Sequence, residues 1–338
     1  MVEIPEWRGV DREIFAREIV TRYNPAVLRG VVRDWPAVAR GRESAASFCA
    51  YLEGFDSGAA VDVLRVPAGA HGRIDYNDAM TGFNFSRDKA TISSVTQKLL
   101  SYSRFENRPA VAVQSAPIAQ CLPGFARENV LAILDPSVAP RIWLGTAFTT
   151  PAHFDESSNV ACVVSGRRRF TLFAPEQIAN LYIGPLDFAP TGTPMSMVRL
   201  ADPDFARFPR FRGALAAAQV ADLEPGDAIY IPGLWWHHVE SLEKVNALVN
   251  YWWKGPAAAS AKADSALDCL LLAILRLRQL PAEQRRAWAS IFEHYVFDSE
   301  ADPAAHIPEY RRGVLGAMSP EYAKQVKDFV AKQLQRGE

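Results

Sequence analysis

The sequence predicts a mainly β protein, a sandwich or small barrel with helical additions at both ends, and three observations predict it. Between residues 109 and 255, short apolar or alternating runs rich in Val, Ile, Phe, Tyr and Trp follow one another: "AVAVQS", "PRIWLGTAF", "NVACVVS", "RRFTLFAP", "DAIYIP" and "NALVNYWW". Pro-Gly, Gly-Asp and Asn-containing turns bound these runs, the punctuation of short strands in an all-β domain. On either side, apolar residues recur at helical spacing behind capping residues.

Taken in order, "DREIFAREIVTRY" (11–23) predicts a helix behind an Asp cap, and "ESAASFCAYLEGF" (43–55) predicts another that a Gly stops. "TISSVTQKLLSYS" (91–103) is a third. Residues 1–108 are therefore expected to form a helical or mixed layer packed on a β core at 109–255. Residues 256–338 return to helix. Within them "SALDCLLLAILRLRQL" (265–280) is apolar on nearly every side, which predicts burial and, at a chain end, contact with a second copy in a homodimer. The Ala-rich "GPAAASAKA" (255–263) reads as a linker, and no internal repeat is visible.

A chain of 338 residues that is 49% hydrophobic and 22% charged can bury a sizeable core. A formal net charge of -1 gives no global attraction to nucleic acid or to anionic membranes, although the basic "RFPRFRG" keeps nucleic acid open as a partner. No run approaches the roughly 20 apolar residues of a membrane-spanning helix. The opening "MVEIPEWRGVDREIF" has neither a basic leader nor an apolar stretch. Cys49, Cys121, Cys162 and Cys269 are too scattered for a CxxC pair or a disulfide framework, so a reducing cytoplasm is expected.

The chemistry concentrates in "TTPAHFDESSN" (149–159). In an extended strand, residues two apart share a face, so His153 and Asp155 can reach one cation. Of the six histidines, His237 and His238 in "GDAIYIPGLWWHHVES" (226–241) also close a β run, and alternation lets only one of them face inward. Two histidines and one carboxylate on one side of an iron leave three open positions, the facial arrangement of non-haem Fe(II) oxygenases. The same donors could instead activate water on zinc, in a hydrolase or isomerase with Glu156 as the candidate base.

Together, "TPAHFDESSN", "FTLFAPEQIANLY", "DPDFARFPRF", "GDAIYIPGLWWHHVESL" and "VNYWWKG" resemble, in order along residues 109–255, the JmjC and cupin-like family of Fe(II)- and 2-oxoglutarate-dependent oxygenases. The similarity is greatest to the subgroup of the asparaginyl hydroxylase that acts on hypoxia-inducible factor. The resemblance implies a double-stranded β-helix (a jelly roll of the cupin type), with an N-terminal helical layer and a C-terminal helical region that makes a homodimer. It implies a dioxygenase, a hydroxylating oxidoreductase, that uses Fe(II), 2-oxoglutarate and dioxygen.

It assigns the metal to His153, Asp155 and His237, leaving His238 to point away, and assigns 2-oxoglutarate to Thr150, Asn159, Arg168, Asn250 and Trp252. Two positions depart from the family. Arg168 stands where a Lys is usual, and a Tyr that contacts the distal carboxylate aligns with Val111. Arg167 and Arg169, on either side of Arg168, are expected in solvent. The segment "IGPLDFAPTGTPMSMVRLA" departs from the asparaginyl hydroxylase, so Asn hydroxylation does not transfer; a protein side chain, a small molecule and a modified tRNA base stay open as substrates. A metal-binding protein that has lost turnover is the non-enzymatic alternative.

Overall fold

The structure, a computed structural model, describes all residues except 107, 191, 255–264, 299, 301 and 336–338. The Ala-rich segment expected as a linker lies outside the described residues. The chain divides into two compact units, Met1–Ala263 and Asp264–Glu338.

In the first unit the strands are β1 (Val2–Glu3), β2 (Glu6–Arg8), β3 (Ala26–Arg29), β4 (Val61–Val66), β5 (Ser86–Ala90), β6 (Ala110–Pro117) and β7 (Pro140–Gly145). They continue with β8 (Phe148–His153), β9 (Ser158–Ser165), β10 (Arg168–Phe173), β11 (Gln219–Leu223), β12 (Ala228–Ile231), β13 (Trp236–Ser241) and β14 (Asn246–Trp253). They build a 5-stranded sheet in the order β1-β11-β10-β13-β8 and a 9-stranded sheet in the order β2-β3-β12-β9-β14-β7-β6-β4-β5.

The continuous apolar run of β9 is explained by its place in the middle of the larger sheet, where both of its faces are covered. On one face Val160, Cys162 and Val164 pack with Phe48, Leu52, Val95 and Leu99 from the helices Ala45–Glu53 and Ile92–Tyr102. On the other, Ala161 and Val163 join Ile229, Ile231 and Leu248 against Phe170 and Leu172 of the smaller sheet. Two sheets closed over an apolar layer, with helices on the outside, form the mainly β jelly-roll core that the sequence predicts.

The run "PRIWLGTAF" is not one strand. It breaks after Gly145, where a Cβ would come within 2.6 Å of the Val111 carbonyl oxygen, and Thr146 Oγ1 accepts from the Val111 N–H at 3.1 Å. The chain thereby passes from one sheet (β7) to the other (β8), so Trp143 and Thr150 reach the interior from opposite walls.

Two expectations need correction. Residues 1–108 do not merely decorate a core, because β1 to β5 extend both of its sheets. Residues 11–23 are helical but only Arg12–Ile14 is an α-turn; a π-turn at Phe15–Ile19 and a 3-10 turn at Val20–Arg22 follow, with Phe15 and Ile19 buried. In the second unit of the single chain the helix Ala266–Leu277 has no buried residue, and Leu270 and Leu275 are exposed, so the cover expected for this apolar helix is a second copy.

The turn joining β9 to β10 depends on Gly166, whose φ of 70° is left-handed and whose added Cβ would collide with Asn246 Oδ1. Gly166→Ala is expected to destabilise the first unit by about 1–3 kcal/mol. Urea denaturation would show a lowered midpoint; an unchanged midpoint would mean that this turn relaxes without cost.

Candidate metal centre and its cavity

β8 delivers His153 at its last residue, and His237 lies directly opposite it in the antiparallel pairing with β13. Asp155 follows in the bend after β8. That bend is tied to the turn before β13 by the Leu234 N–H, which donates to the Asp155 carbonyl oxygen at 2.7 Å. Leu234 itself is left-handed, with φ 66°, a conformation that the Pro-Gly-Leu turn imposes. The Trp235 indole N–H then anchors the turn to the Tyr23 carbonyl at 3.2 Å. Segments some eighty residues apart in the chain are thus clamped at one place.

There, His153, Asp155 and His237 offer one ligand atom each, and these atoms lie within 4.8 Å of one another. Donors that each sit about 2.0–2.2 Å from one ion stand no more than about 4.4 Å apart, so a small closing movement of these side chains brings all three onto it. Both rings are oriented by the same device. His153 Nδ1 lies 2.9 Å from the Pro151 carbonyl oxygen and His237 Nδ1 lies 3.0 Å from that of Trp235. A carbonyl oxygen only accepts, so each Nδ1 carries the proton and each Nε2 keeps a lone pair for a metal.

Burial, and then the neighbouring His153, push the pKa of His237 down to about 4, so this imidazole is neutral at ordinary pH. Its 3.7 Å approach to Asp155 Oδ2 is therefore not an ion pair but two ligands facing a common point. Asp155 Oδ2 also accepts from the Trp252 indole N–H at 3.0 Å, which fixes the carboxylate.

The three ligands open into a cavity of about 120 Å³, where Thr150, Asn159, Arg168, Asn250 and Trp252 all contribute to the wall. The structure thus brings together every residue that the resemblance assigned. Asn250 Nδ2 donates to Asn159 Oδ1 at 2.9 Å, and Asn250 Oδ1 is buried without a partner. Arg168 begins β10 with only 7% of its surface exposed, and its Nε is buried and unpartnered. No acidic group pairs with it among the described residues, and burial pushes its pKa down to about 9.

Strand alternation turns its neighbours outward, where Arg167 meets Glu243 at 2.7 Å and Arg169 meets Asp222 at 2.7 Å. His238 points away from the metal ligands but is not in solvent: it is buried beside Glu240, 3.9 Å away. Glu156, the candidate base, bonds Lys254 Nζ at 3.3 Å.

Two positions read differently in three dimensions. Val111 does not line the cavity; it packs in the core formed with the N-terminal helices. Trp143, which the sequence offered only as a strand residue, does line it, and its indole nitrogen is buried without a partner. The alternation Arg141, Trp143, Gly145 on one face of β7 is the signal that could have found it.

A family model described as a cupin-like domain matches residues 11–259. Human HSPB1-associated protein 1 is 32% identical over 149 residues, 44% of this chain and 30% of that protein. Chicken tRNA wybutosine-synthesizing protein 5 is 32% identical over 149 residues, 40% of this chain and 44% of that protein. Lysine-specific demethylase 8 of Xenopus tropicalis is 25% identical over 262 residues, 74% of this chain and 52% of that protein. The matches therefore span between about a third and about half of these relatives.

Asp155→Ala and His153→Ala are each expected to weaken Mn(II) binding at least 100-fold in calorimetry, while leaving the circular dichroism spectrum unchanged, since loss of a ligand or its support costs 10–100-fold or more. Unaltered Mn(II) affinity in either variant would remove that residue from the centre.

Proposed function

This chain belongs to the cupin-like (JmjC) family, and on that premise we propose that it is an Fe(II)- and 2-oxoglutarate-dependent dioxygenase that hydroxylates a C–H bond of a protein side chain or a small molecule. The observation that carries this reading is the buried, acid-free guanidinium of Arg168 in the same small cavity as a two-histidine, one-carboxylate ligand set. An uncompensated buried cation is costly, and a ligand carboxylate supplies the missing charge and accepts from its N–H groups.

His153, Asp155 and His237 would hold the iron, the donor set suited to Fe(II) with positions left open for reagents. The chemistry supplied there is the reaction of 2-oxoglutarate, dioxygen and R–H to succinate, carbon dioxide and R–OH. The chain's own share is binding, orientation and dryness. Arg168 anchors the acid and Thr150 offers a hydroxyl. The Asn159 and Asn250 amides can turn over together and keep their mutual bond, which presents an N–H of Asn250 where its oxygen now stands. Trp252 holds Asp155 in place, while Phe170, Ile231, Val239 and Leu248 exclude water.

A zinc hydrolase on the same scaffold is less well supported. Its one candidate base, Glu156, is engaged with Lys254, and it would leave Arg168 without a purpose. The relatives' names point to different substrates, a protein association in one, a tRNA modification in another and lysine demethylation in a third, so the substrate class stays with the C–H bond. A homodimer through the C-terminal helices is supported by the exposed Leu270, Leu275, Trp288 and Phe329, and a reducing cytoplasm by the absence of any disulfide among the four cysteines.

The protein with Fe(II) and dioxygen should release succinate from 2-oxoglutarate, even slowly without substrate, and Arg168→Ala should raise the half-saturating 2-oxoglutarate concentration by roughly tenfold or more, as loss of a charge-assisted contact does. Succinate release by proton NMR checks both. No succinate under any condition would overturn the oxygenase reading; an unchanged half-saturation would move the acid anchor elsewhere.

A further inference from the structure

Among the buried polar atoms left without a partner, Arg168 Nε, Asn250 Oδ1 and Trp143 Nε1 belong to residues that line the cavity into which all three metal ligands open. Buried donors are almost always satisfied, so a cluster of exceptions around a cavity marks where a ligand's atoms belong. An indole N–H and a guanidinium can only donate. The ligand group that satisfies both is therefore an acceptor, and beside a buried cation it is an anion.

Strand register sets these two donors on facing walls of the cavity. On the smaller sheet His237 pairs with Leu172, and Arg168 lies four residues before Leu172 on β10. On the larger sheet Trp252, which bonds the metal-site carboxylate, lies four residues after Leu248, and Leu248 is the direct partner of Trp143. Four residues are about 13 Å of strand. The two side chains thus start from facing sheets, and both reach the same cavity of about 120 Å³. The apolar cluster confirms that these two stretches meet, because Phe170 and Leu248 are both part of it and Trp143 packs against it. Trp143 is further held edge-on to Trp252, with ring centroids 6.3 Å apart.

We propose that the Trp143 indole N–H, together with Arg168, binds the end of the keto acid remote from the metal, so that Trp143 is a specificity-determining residue for a dicarboxylate co-substrate. This inference rests on the proposed oxygenase reading of the site. It also supplies a donor that the sequence seemed to lack, since Val111, where a Tyr was expected, packs away from the cavity. A keto acid whose far end is an uncharged alkyl chain would leave both donors unpaired, which is how a polar site rejects an analogue lacking the matching group.

The test compares two ligands on the Mn(II)-loaded full chain under anaerobic conditions: 2-oxoglutarate and 2-oxopentanoate, which has the same five carbons but no distal carboxylate. Trp143→Phe keeps the ring and removes the N–H. Calorimetry is expected to show 2-oxoglutarate binding weakened roughly tenfold or more, as for a lost hydrogen bond to a charged group, with 2-oxopentanoate unchanged. Equal weakening of both would mean that Trp143 only shapes the cavity, and no weakening of either would mean that its N–H faces elsewhere; both overturn the inference while the oxygenase reading stands. Failure of the unaltered protein to bind 2-oxoglutarate would instead bring down that reading, and the inference with it. Unchanged Mn(II) affinity and melting temperature in Trp143→Phe confirm that the variant is folded.

Discussion

Everything at the centre depends on one cross-strand pairing, His153 on β8 opposite His237 on β13. A slip of one residue in either strand would turn its imidazole to the other face and separate the pair, because side chains alternate along a strand. The register is fixed from both sides. β13 is paired along its length with β10, and the turn before it is bolted to the Asp155 carbonyl and to Tyr23. The backbone carbonyls of Pro151 and Trp235 then set the two rings so that the same nitrogen of each is free. Donors held by the backbone in this way are largely pre-set for a metal, and pre-set donors are what give such a site its affinity.

The second constraint is electrostatic. A guanidinium buried without a counter-anion costs on the order of several kcal/mol, and a fold retains such a group only when something outside the chain repays it. Arg168 shares its cavity with three neutral or metal-directed polar groups, Thr150, Asn159 and Asn250, and with apolar walls. Charge, donors and size together describe a small acid rather than a water or a neutral sugar. The contrast with Arg167 and Arg169 is instructive, since the same side chain one position away finds Glu243 or Asp222 at the surface.

The sequence made the core strands legible because their apolar runs and turns are local signals, and β6, β9, β10, β12 and β14 lie where those runs stand. The ligand set was legible for a different reason: His-x-Asp and Trp-Trp-His are short and chemically specific, and the family resemblance, where alternation left His237 and His238 open, singled out His237. Less was legible where the outcome depends on partners far along the chain. That β1 to β5 would join the sheets follows from pairings such as β1 with β11 and β4 with β6, which no local pattern announces. Val111 and Trp143 exchanged importance for the same reason, because which face of β6 or β7 looks into the cavity is set by the fold and not by the residue. The apolar helix Ala266–Leu277 shows the opposite limit: its composition asks for burial that the described chain does not provide.

The central claim is that His153, Asp155 and His237 converge on one ferrous ion whose remaining positions accept a keto acid. Anaerobic addition of 2-oxoglutarate to the Fe(II)-loaded protein measures this most directly, through the visible charge-transfer absorption that arises when the keto acid chelates iron. A saturable band that requires both iron and 2-oxoglutarate is the predicted result. Tight binding of each component with no such band would contradict it, because the acid would then be held away from the metal.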